Sequence, residues 1–305
     1  MYHQIAHNKR NSIVLIGLFL LVWLLAGFVI GEFGGGLSTA IAGAIILGLL
    51  GVAAAGYSYY FGAATVLAAV GAHEADPQQY QQLYNIVQTL AIGDGVPVPK
   101  VYIVDDPSPN AFATGRDPQH SSIAVTQGLL EMMNRVELEG VIGHEMSHVR
   151  DRDILLGTMV ATVVGAAVLL SEFFMRTWWW GGIGGRRSNN NNGGGPVELV
   201  LMVVGLMLIA LAPLAGQLIK LSVSRNREYL ADAEGAMLTR YPPGLIAALQ
   251  KIEAAPHAMS SANNATAHLW LDQPSRVPGK QTSGLEKLFS THPPIEDRIK
   301  RLQEM

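Results

Sequence analysis

Residues 13–31 read IVLIGLFLLVWLLAGFVIG and contain no charged side chain. A helix needs roughly 20 apolar residues to cross a bilayer, and this run has that length. Lys9 and Arg10 precede the run, as in a signal peptide. The run is longer than the apolar core of such a peptide, which has about 7–15 residues, and more apolar segments follow it. The sequence therefore predicts a mainly α-helical integral membrane protein.

Three more apolar segments follow the first one along the chain. Charged residues make up only 15% of the chain, against roughly 25% in soluble domains. We therefore predict four transmembrane helices. The third is short and ends at Glu172, so a helix partly buried in protein is an alternative for it. The three segments are Phe33–His73, Ile154–Ser171 and Leu199–Ile219, the last interrupted by Pro213.

The alternation of apolar and polar stretches divides the chain into four predicted parts. Residues 1–73 form a transmembrane hairpin, and residues 154–222 form a transmembrane or membrane-embedded hairpin with a Gly/Asn-rich loop at 181–196. The polar parts are 74–153 and 223–305. Lysine and arginine flank the spans on the side of the N-terminus and the polar parts, while the connection 32–38 has neither. The positive-inside rule then places both polar parts in the cytoplasm, although the external loop 172–198 carries three arginines.

The polar parts combine helices with a small sheet. Strand patterns occur in VYIVDD (101–106) and SIAVT (122–126), with a turn-rich segment between them. Helical periodicity covers Leu129–Arg150. Further helices are predicted at 224–241, 243–254 and 295–303, and a polar loop or lid at 260–283.

Composition excludes several kinds of chemistry. The chain has no cysteine, which rules out disulfides, thiolate metal ligands and a cysteine nucleophile. It has no phosphate-binding loop of the Walker type, so no ATP-driven motor is expected. The net charge of −3 provides no overall basic surface for nucleic acid.

One short motif carries most of the chemical information: His144-Glu145-Met146-Ser147-His148 fits H-E-x-x-H. Residues four apart lie on one face of a helix, so both imidazoles can reach one ion, with Glu145 beside it. Neutral imidazoles suit Zn²⁺, and the glutamate is placed to act as the base that activates water. The alternative is a pair of histidines on a solvated helix.

A catalytic zinc needs a third protein ligand and an open position. Glu228 is the better candidate, in the helical segment SRNREYLAD (224–232) directly after the fourth span. Asp232 lies one turn further on the same face, where it would hold the Nδ1–H of a ligand histidine. A solvated acidic face is the alternative for this pair. No histidine outside the motif repeats a ligand spacing; these are His3, His7, His73, His120, His257, His268 and His292.

The segments GHEMSHVRDRD (143–153) and SRNREYLAD (224–232) resemble the two signatures of the HtpX-type membrane metalloproteases, a family related to the CaaX-prenyl endoproteases. NAFATG (110–115), THPPI (291–295) and the arrangement of spans are also similar, so the resemblance covers essentially the whole chain. The Gly/Asn-rich loop is the main departure. The resemblance implies a gluzincin-like α+β domain on the cytoplasmic side, formed by 74–153 and 223–305. It also implies one zinc ion per chain, bound by His144, His148 and Glu228, with Glu145 as the base.

Two further residues gain candidate roles from this resemblance. Asn110 lies in the segment between the predicted strands, a reasonable place for an edge strand that binds substrate backbone. An ordinary surface turn is the alternative. His292 would donate to the oxyanion that forms at the scissile carbonyl. The alternative is that His292 only caps the last helix.

We therefore predict a zinc endopeptidase of the bacterial inner membrane that cleaves misfolded or damaged membrane proteins and unfolded polypeptides in stress-response quality control. A narrow processing peptidase of the CaaX type, with the same site, is one alternative. Another is a non-catalytic scaffold with a structural zinc, which would need a fourth protein ligand and leaves Glu145 without a role. The oligomeric state and the cleavage preference do not follow from the sequence.

Overall fold

The structure is a computed structural model of the chain. The structure describes residues 2–33, 35–166, 224–255, 259, 261, 265–272 and 293–305. The helices are α1 (Tyr2–Phe33), α2 (Leu37–Ala69), α3 (Gln81–Asp94), α4 (Gln127–Met132), α5 (Arg135–Asp151), α6 (Ile154–Ala166), α7 (Arg225–Thr239), α8 (Pro242–Ala254) and α9 (Ile295–Gln303). The strands are β1 (His73–Glu74), β2 (Lys100–Val104), β3 (Ala111–Gly115) and β4 (Ser121–Thr126), and short 3₁₀ turns occur at Pro118–His120 and Ala267–Leu269.

Helices α1 and α2 are the two described helices that are long and apolar enough to cross a membrane, over Ser12–Glu32 and Leu37–Ala69. Glycines bring these helices into close contact, because a Cβ on Gly27 would clash with the backbone of Gly43. Such small-residue contacts are typical of helix pairs in membranes. The third predicted span is described only as far as Ala166, as the shorter apolar helix α6. The fourth lies outside the described residues.

Most of the other described residues belong to a separate compact unit that contains residues 57–162 and the described residues from 224 onward. Its sheet has the strand order β1-β2-β4-β3. Strand β2 is parallel to β4, and the two outer pairs are antiparallel. Strand β3 is therefore an edge strand. The segment that contains it is turn-rich in sequence and was also given as a place for an edge strand, and residues 111–115 pair with β4.

The predicted helix over 129–150 is instead two helices, α4 and α5. Asn134 interrupts it and caps α5: its Oδ1 accepts from the Glu137 N–H at 3.0 Å. The Glu137 carboxylate in turn accepts from the Asn134 N–H at 2.8 Å. This reciprocal capping box satisfies two backbone N–H groups that a helix start leaves unpaired, which favours a new start over a continuous helix.

Helix α5 runs through the centre of this unit and packs against α3, α7, α8 and β3. Two glycines allow α7 to touch it directly. A Cβ on Gly235 would lie 2.7 Å from the His144 backbone nitrogen, and one on Gly143 would lie 3.1 Å from the Gly235 carbonyl oxygen. The segment with the H-E-x-x-H motif is therefore in backbone contact with α7. Fully buried side chains of the surrounding core include Val87, Val101, Ile103, Ile123, Leu129, Val141, Ile142, Met146, Leu245 and Leu249.

Candidate active site

Helix α5 places both motif histidines on one face, as their spacing of four residues predicts. Their Nε2 atoms lie 3.1 Å apart. His144 and Glu145 are buried, while His148 is partly exposed. Because both Nε2 atoms point to the same place, the two rings can serve one common partner.

Glu228 reaches the same place from the first turn of α7. Its carboxylate oxygens lie 3.8 Å from the Nε2 atoms of both His144 and His148. Donor atoms of these three residues all lie within 4.8 Å of one another. Ligands about 2.1 Å from a tetrahedral Zn²⁺ are about 3.4 Å apart, and the observed separations of 3.1 and 3.8 Å lie on either side of that value. Two imidazoles and one carboxylate therefore fit a zinc ion in both chemistry and spacing.

Each histidine is held from behind by a carboxylate. The Nδ1 atom of His144 lies 2.9 Å from Asp232 Oδ1, and that of His148 lies 2.9 Å from Asp153 Oδ2. An ionised carboxylate can only accept, so each Nδ1–H donates to it and Nε2 is the ring atom that binds a metal once it has lost its own proton. Asp232 is where the sequence analysis expected it. Asp153 was not singled out there, although it lies within the segment 143–153.

A buried arginine supports Asp232. Arg298 of α9 donates from Nε to Asp232 Oδ2 at 2.8 Å and from Nη2 to Oδ1 at 2.6 Å. The sequence analysis missed Arg298. A signal was present, because Arg298 has the helical spacing of two buried apolar residues, Ile295 and Leu302.

The electrostatics of the site follow from burial and neighbouring charges. Burial raises the pKa of Glu145, an effect that His144 and His148 only partly oppose. Burial alone would lower the pKa of His148, but Asp153 and the nearby glutamates raise it to about 10. Burial would raise the pKa of Asp232, yet Arg298 outweighs it and holds that pKa below its usual value. The site therefore combines a carboxylate of raised proton affinity with an ionised carboxylate behind His144.

The histidines and Glu228 line a cleft that is also lined by Ala113 of the edge strand β3. Backbone groups of alternate residues point to opposite sides of a strand. Asn110 pairs with β4 through its carbonyl, which accepts from the Thr126 N–H at 3.0 Å. By alternation, Ala111, Ala113 and Gly115 direct their backbone groups away from β4. The cleft is lined by Ala113, His144, Glu145, His148, Asp153, Ile154, Gly157, Arg227, Glu228, His268, Leu269, Trp270 and Leu271.

A segment that we call the strap, residues 265–272, covers one end of this edge. The Leu271 N–H donates to the Ala111 carbonyl at 2.9 Å. At the other end of β3, the Gly115 N–H donates to Thr158 Oγ1 at 3.1 Å. Among the described residues, no backbone or side-chain partner is found for the outward N–H and C=O of Ala113. One residue of the edge strand is therefore open to the cleft.

The remaining predicted site residues have different positions. Asn110 directly precedes β3 and is buried. Its amide donates to the Asp272 carbonyl at 2.8 Å and accepts from the Asp272 N–H at 3.1 Å, so its side chain holds the strap. His292 lies outside the described residues. His268, set aside because of its spacing, lines the cleft from the strap. Spacing gave no signal for His268, because it reaches the cleft through tertiary folding.

Comparisons with known proteins identify the family of the chain. Residues 77–305 match peptidase family M48. A protease HtpX homolog of Caldanaerobacter subterraneus subsp. tengcongensis is 46% identical over 306 residues, covering 100% of this chain and 98% of that protein. One from Streptococcus mutans is 43% identical over 305 residues, covering 100% of both. These matches include both helices that carry the site, α5 and α7.

The fold is also similar to a solved structure. The crystal structure of S. mikatae Ste24p matches 99% of this chain with a TM-score of 0.51 at 17% sequence identity. The chain spans 66% of the length of that protein. The family profile and the relatives matched over their full length establish the classification. The chain therefore belongs to peptidase family M48 and is a membrane metalloprotease.

Proposed function

We propose that the chain is a zinc endopeptidase with a gluzincin-like site in which His144, His148 and Glu228 hold the metal and Glu145 is the base. The observation that carries the proposal is the convergence of these groups in one cleft that Ala113 also lines. Zinc, when bound, supplies a Lewis acid that polarises the scissile carbonyl and makes water more acidic. Substrate binding and proton transfer are carried out by residues of the chain.

The edge strand would bind the substrate. An extended peptide can pair with the outward N–H and C=O of Ala113 by strand addition, which places its backbone in the cleft beside Glu145. Glu145 takes the proton from the attacking water and passes it to the leaving amine nitrogen as the C–N bond breaks. Burial favours proton uptake in this exchange, because it raises the pKa of Glu145.

We further propose that the protein is a multi-pass protein of the bacterial inner membrane with four spans and a cytoplasmic active site. The apolar helices α1 and α2 support membrane insertion, and the lysines and arginines beside the polar parts support this orientation. The proposed substrates are misfolded or damaged membrane proteins, in stress-response quality control. A narrow processing peptidase would use the same site.

The decisive experiment compares the wild type with Glu145→Gln and Glu139→Gln, purified in detergent and freed of metal by chelation. Glu139 lies on the same helix but pairs with Arg135 away from the cleft, so it is the matched control. We expect zinc to restore casein cleavage in the wild type and in Glu139→Gln. We expect Glu145→Gln to lose about 10³-fold or more in rate while still binding one zinc, because only its base is removed.

Each outcome has a definite meaning. Equal activity in Glu145→Gln and the wild type would show that Glu145 is not the base. If no variant cleaved casein but all bound zinc, a narrow processing peptidase or a structural zinc scaffold would replace the proposal. Polypeptides that co-purify with Glu145→Gln would then separate these two, because a scaffold has no reason to retain a substrate.

A further inference from the structure

Arg298 is a charged side chain in a place where charge is costly. It is only 1% exposed, and it lies on the inner face of α9 between Ile295 and Leu302. Taking a guanidinium out of water is unfavourable unless its donors are paired with good geometry. The hydrogen-bond partners of Arg298 therefore indicate the role of its buried charge.

Two of these donors clamp Asp232. The Nε and Nη2 atoms bind the two carboxylate oxygens at 2.8 and 2.6 Å, a fork that fixes the plane of the carboxylate. Asp232 Oδ1 in turn lies 2.9 Å from His144 Nδ1. The orientation of the His144 ring is thus determined by an arginine from the last helix, and Nη2 itself lies only 3.4 Å from the ring.

The third donor binds the strap, which also lines the cleft. Arg298 Nη1 donates to the Leu271 carbonyl at 3.2 Å. Leu271 belongs to the strap, and its own N–H binds the Ala111 carbonyl at the end of the edge strand. One guanidinium therefore contacts both the support of a proposed zinc ligand and the strap beside the proposed substrate strand.

We propose that Arg298 is a positioning residue that orients His144 through Asp232 and, through Leu271, holds the strap beside the substrate-binding edge. This inference rests on the proposed zinc site. If Arg298 has this role, zinc binding and substrate binding both require α9 to be packed in its observed place. Lysine cannot replace arginine here, because an ammonium group lacks the planar fork that binds two carboxylate oxygens and a carbonyl together.

The test compares Arg298→Lys with Lys300→Gln in the full-length protein. Lys300 is an exposed basic residue on the same helix, so it controls for changes to α9 that do not reach the cleft. Three quantities are measured: zinc affinity by competition with a chelator, kcat and KM on a casein-derived peptide at saturating zinc, and the thermal unfolding midpoint of the metal-free protein.

We expect Arg298→Lys to bind zinc about 10- to 100-fold more weakly, the usual loss when the outer partner of a ligand is disturbed. We also expect its KM to rise at saturating zinc, because the strap loses one of its contacts while those of Asn110 and Ala111 remain. Lys300→Gln should stay within about twofold of the wild type in both quantities. A lower unfolding midpoint with unchanged zinc affinity and KM would reduce Arg298 to a purely structural role and overturn the proposal.

Asp232→Asn separates the two contacts. It disturbs the support of His144 but leaves the Leu271 carbonyl available to Arg298, so zinc affinity should fall while KM at saturating zinc stays near the wild-type value. The zinc effects of Asp232→Asn and Arg298→Lys should be non-additive in the double variant, since both act on the same ring. Additive losses would contradict the proposed route through Asp232. A wild type that binds no zinc would instead refute the proposed zinc site itself.

Discussion

The environment of His148 shows how a single residue that follows a helix, Asp153, can shape the site. Helix α5 ends at Asp151, and Arg152 adopts a left-handed conformation with φ of +60°. This turn brings Asp153 back toward the helix, where its carboxylate meets His148 Nδ1 at 2.9 Å. The ring of His148 therefore depends on the turn after the helix as well as on the helix itself.

Replacing Asp153 by Asn tests this dependence at the residue scale. The amide keeps the size of the side chain but removes the negative charge that strengthens the hydrogen bond from His148 Nδ1–H. Zinc affinity should therefore fall about tenfold or more. The measurement is chelator competition on purified protein. Asp105→Asn is the control, because the Asp105 side chain is 79% exposed and is not among the residues that line the cleft. Equal zinc affinity in both variants would argue against a role for Asp153.

At the scale of elements, the site depends on the contact between α5 and α7. The first helix carries two proposed ligands and the second carries Glu228, so the distance between the helices determines whether the three donors meet. Gly143 and Gly235 form the point of contact, with the Gly235 position directly against the His144 backbone. Any side chain added there must push the helices apart, because backbone atoms cannot rotate away.

We predict that Gly235→Ala lowers the unfolding free energy by about 1–3 kcal/mol, the usual cost of overpacking, and weakens zinc binding. Thermal unfolding and chelator competition measure the two effects. Gly93→Ala on α3 is the matched control, since its Cβ would meet only the Leu238 side chain, at 3.4 Å. Gly93→Ala should leave the unfolding free energy unchanged or raise it by up to about 1 kcal/mol, because alanine favours the helix more than glycine does. If Gly235→Ala behaved like Gly93→Ala, the contact would be less tight than described.

At the scale of the whole molecule, the proposed topology determines which compartment supplies substrates. The positive-inside rule places the short connection before α2 outside the cell and the C-terminal part inside. The chain contains no cysteine, so single cysteines introduced at chosen positions can be labelled without background. Ser38 and Glu304 are exposed residues suited to this purpose.

We predict that Ser38→Cys reacts with a membrane-impermeant maleimide in intact cells. Glu304→Cys should react only after the membrane is permeabilised, because the bilayer separates it from the reagent. The unsubstituted chain provides the blank. Labelling of Glu304→Cys in intact cells would place the C-terminal part, and the cleft with it, on the outer side.

Local patterns in the sequence determined the features that depend on neighbouring residues. An uncharged run of sufficient length predicted the apolar helix α1, and short strand patterns predicted β2 and β4. The spacing of His144 and His148 predicted that both face one ion. Their roles as ligands, with Glu228, remain a prediction, although the structure brings their donor atoms within 4.8 Å of one another.

Tertiary structure decided the features that depend on residues far apart in the chain. Residues 111–115 have no strong strand pattern, and they become an edge strand through pairing with β4. The capping box of Asn134 and Glu137, which separates α4 from α5, is by contrast a local signal that was present in the sequence. Arg298 lies 66 residues from Asp232, and periodicity gives no information about contacts at that distance. Sequence alone thus determined the apolar helices α1 and α2 and the common face of the motif histidines, because these depend on local geometry. Only the tertiary structure decided that Asp153 and Arg298 join Asp232 in supporting those histidines and that Ala113 is the open residue of the edge strand, because both depend on packing.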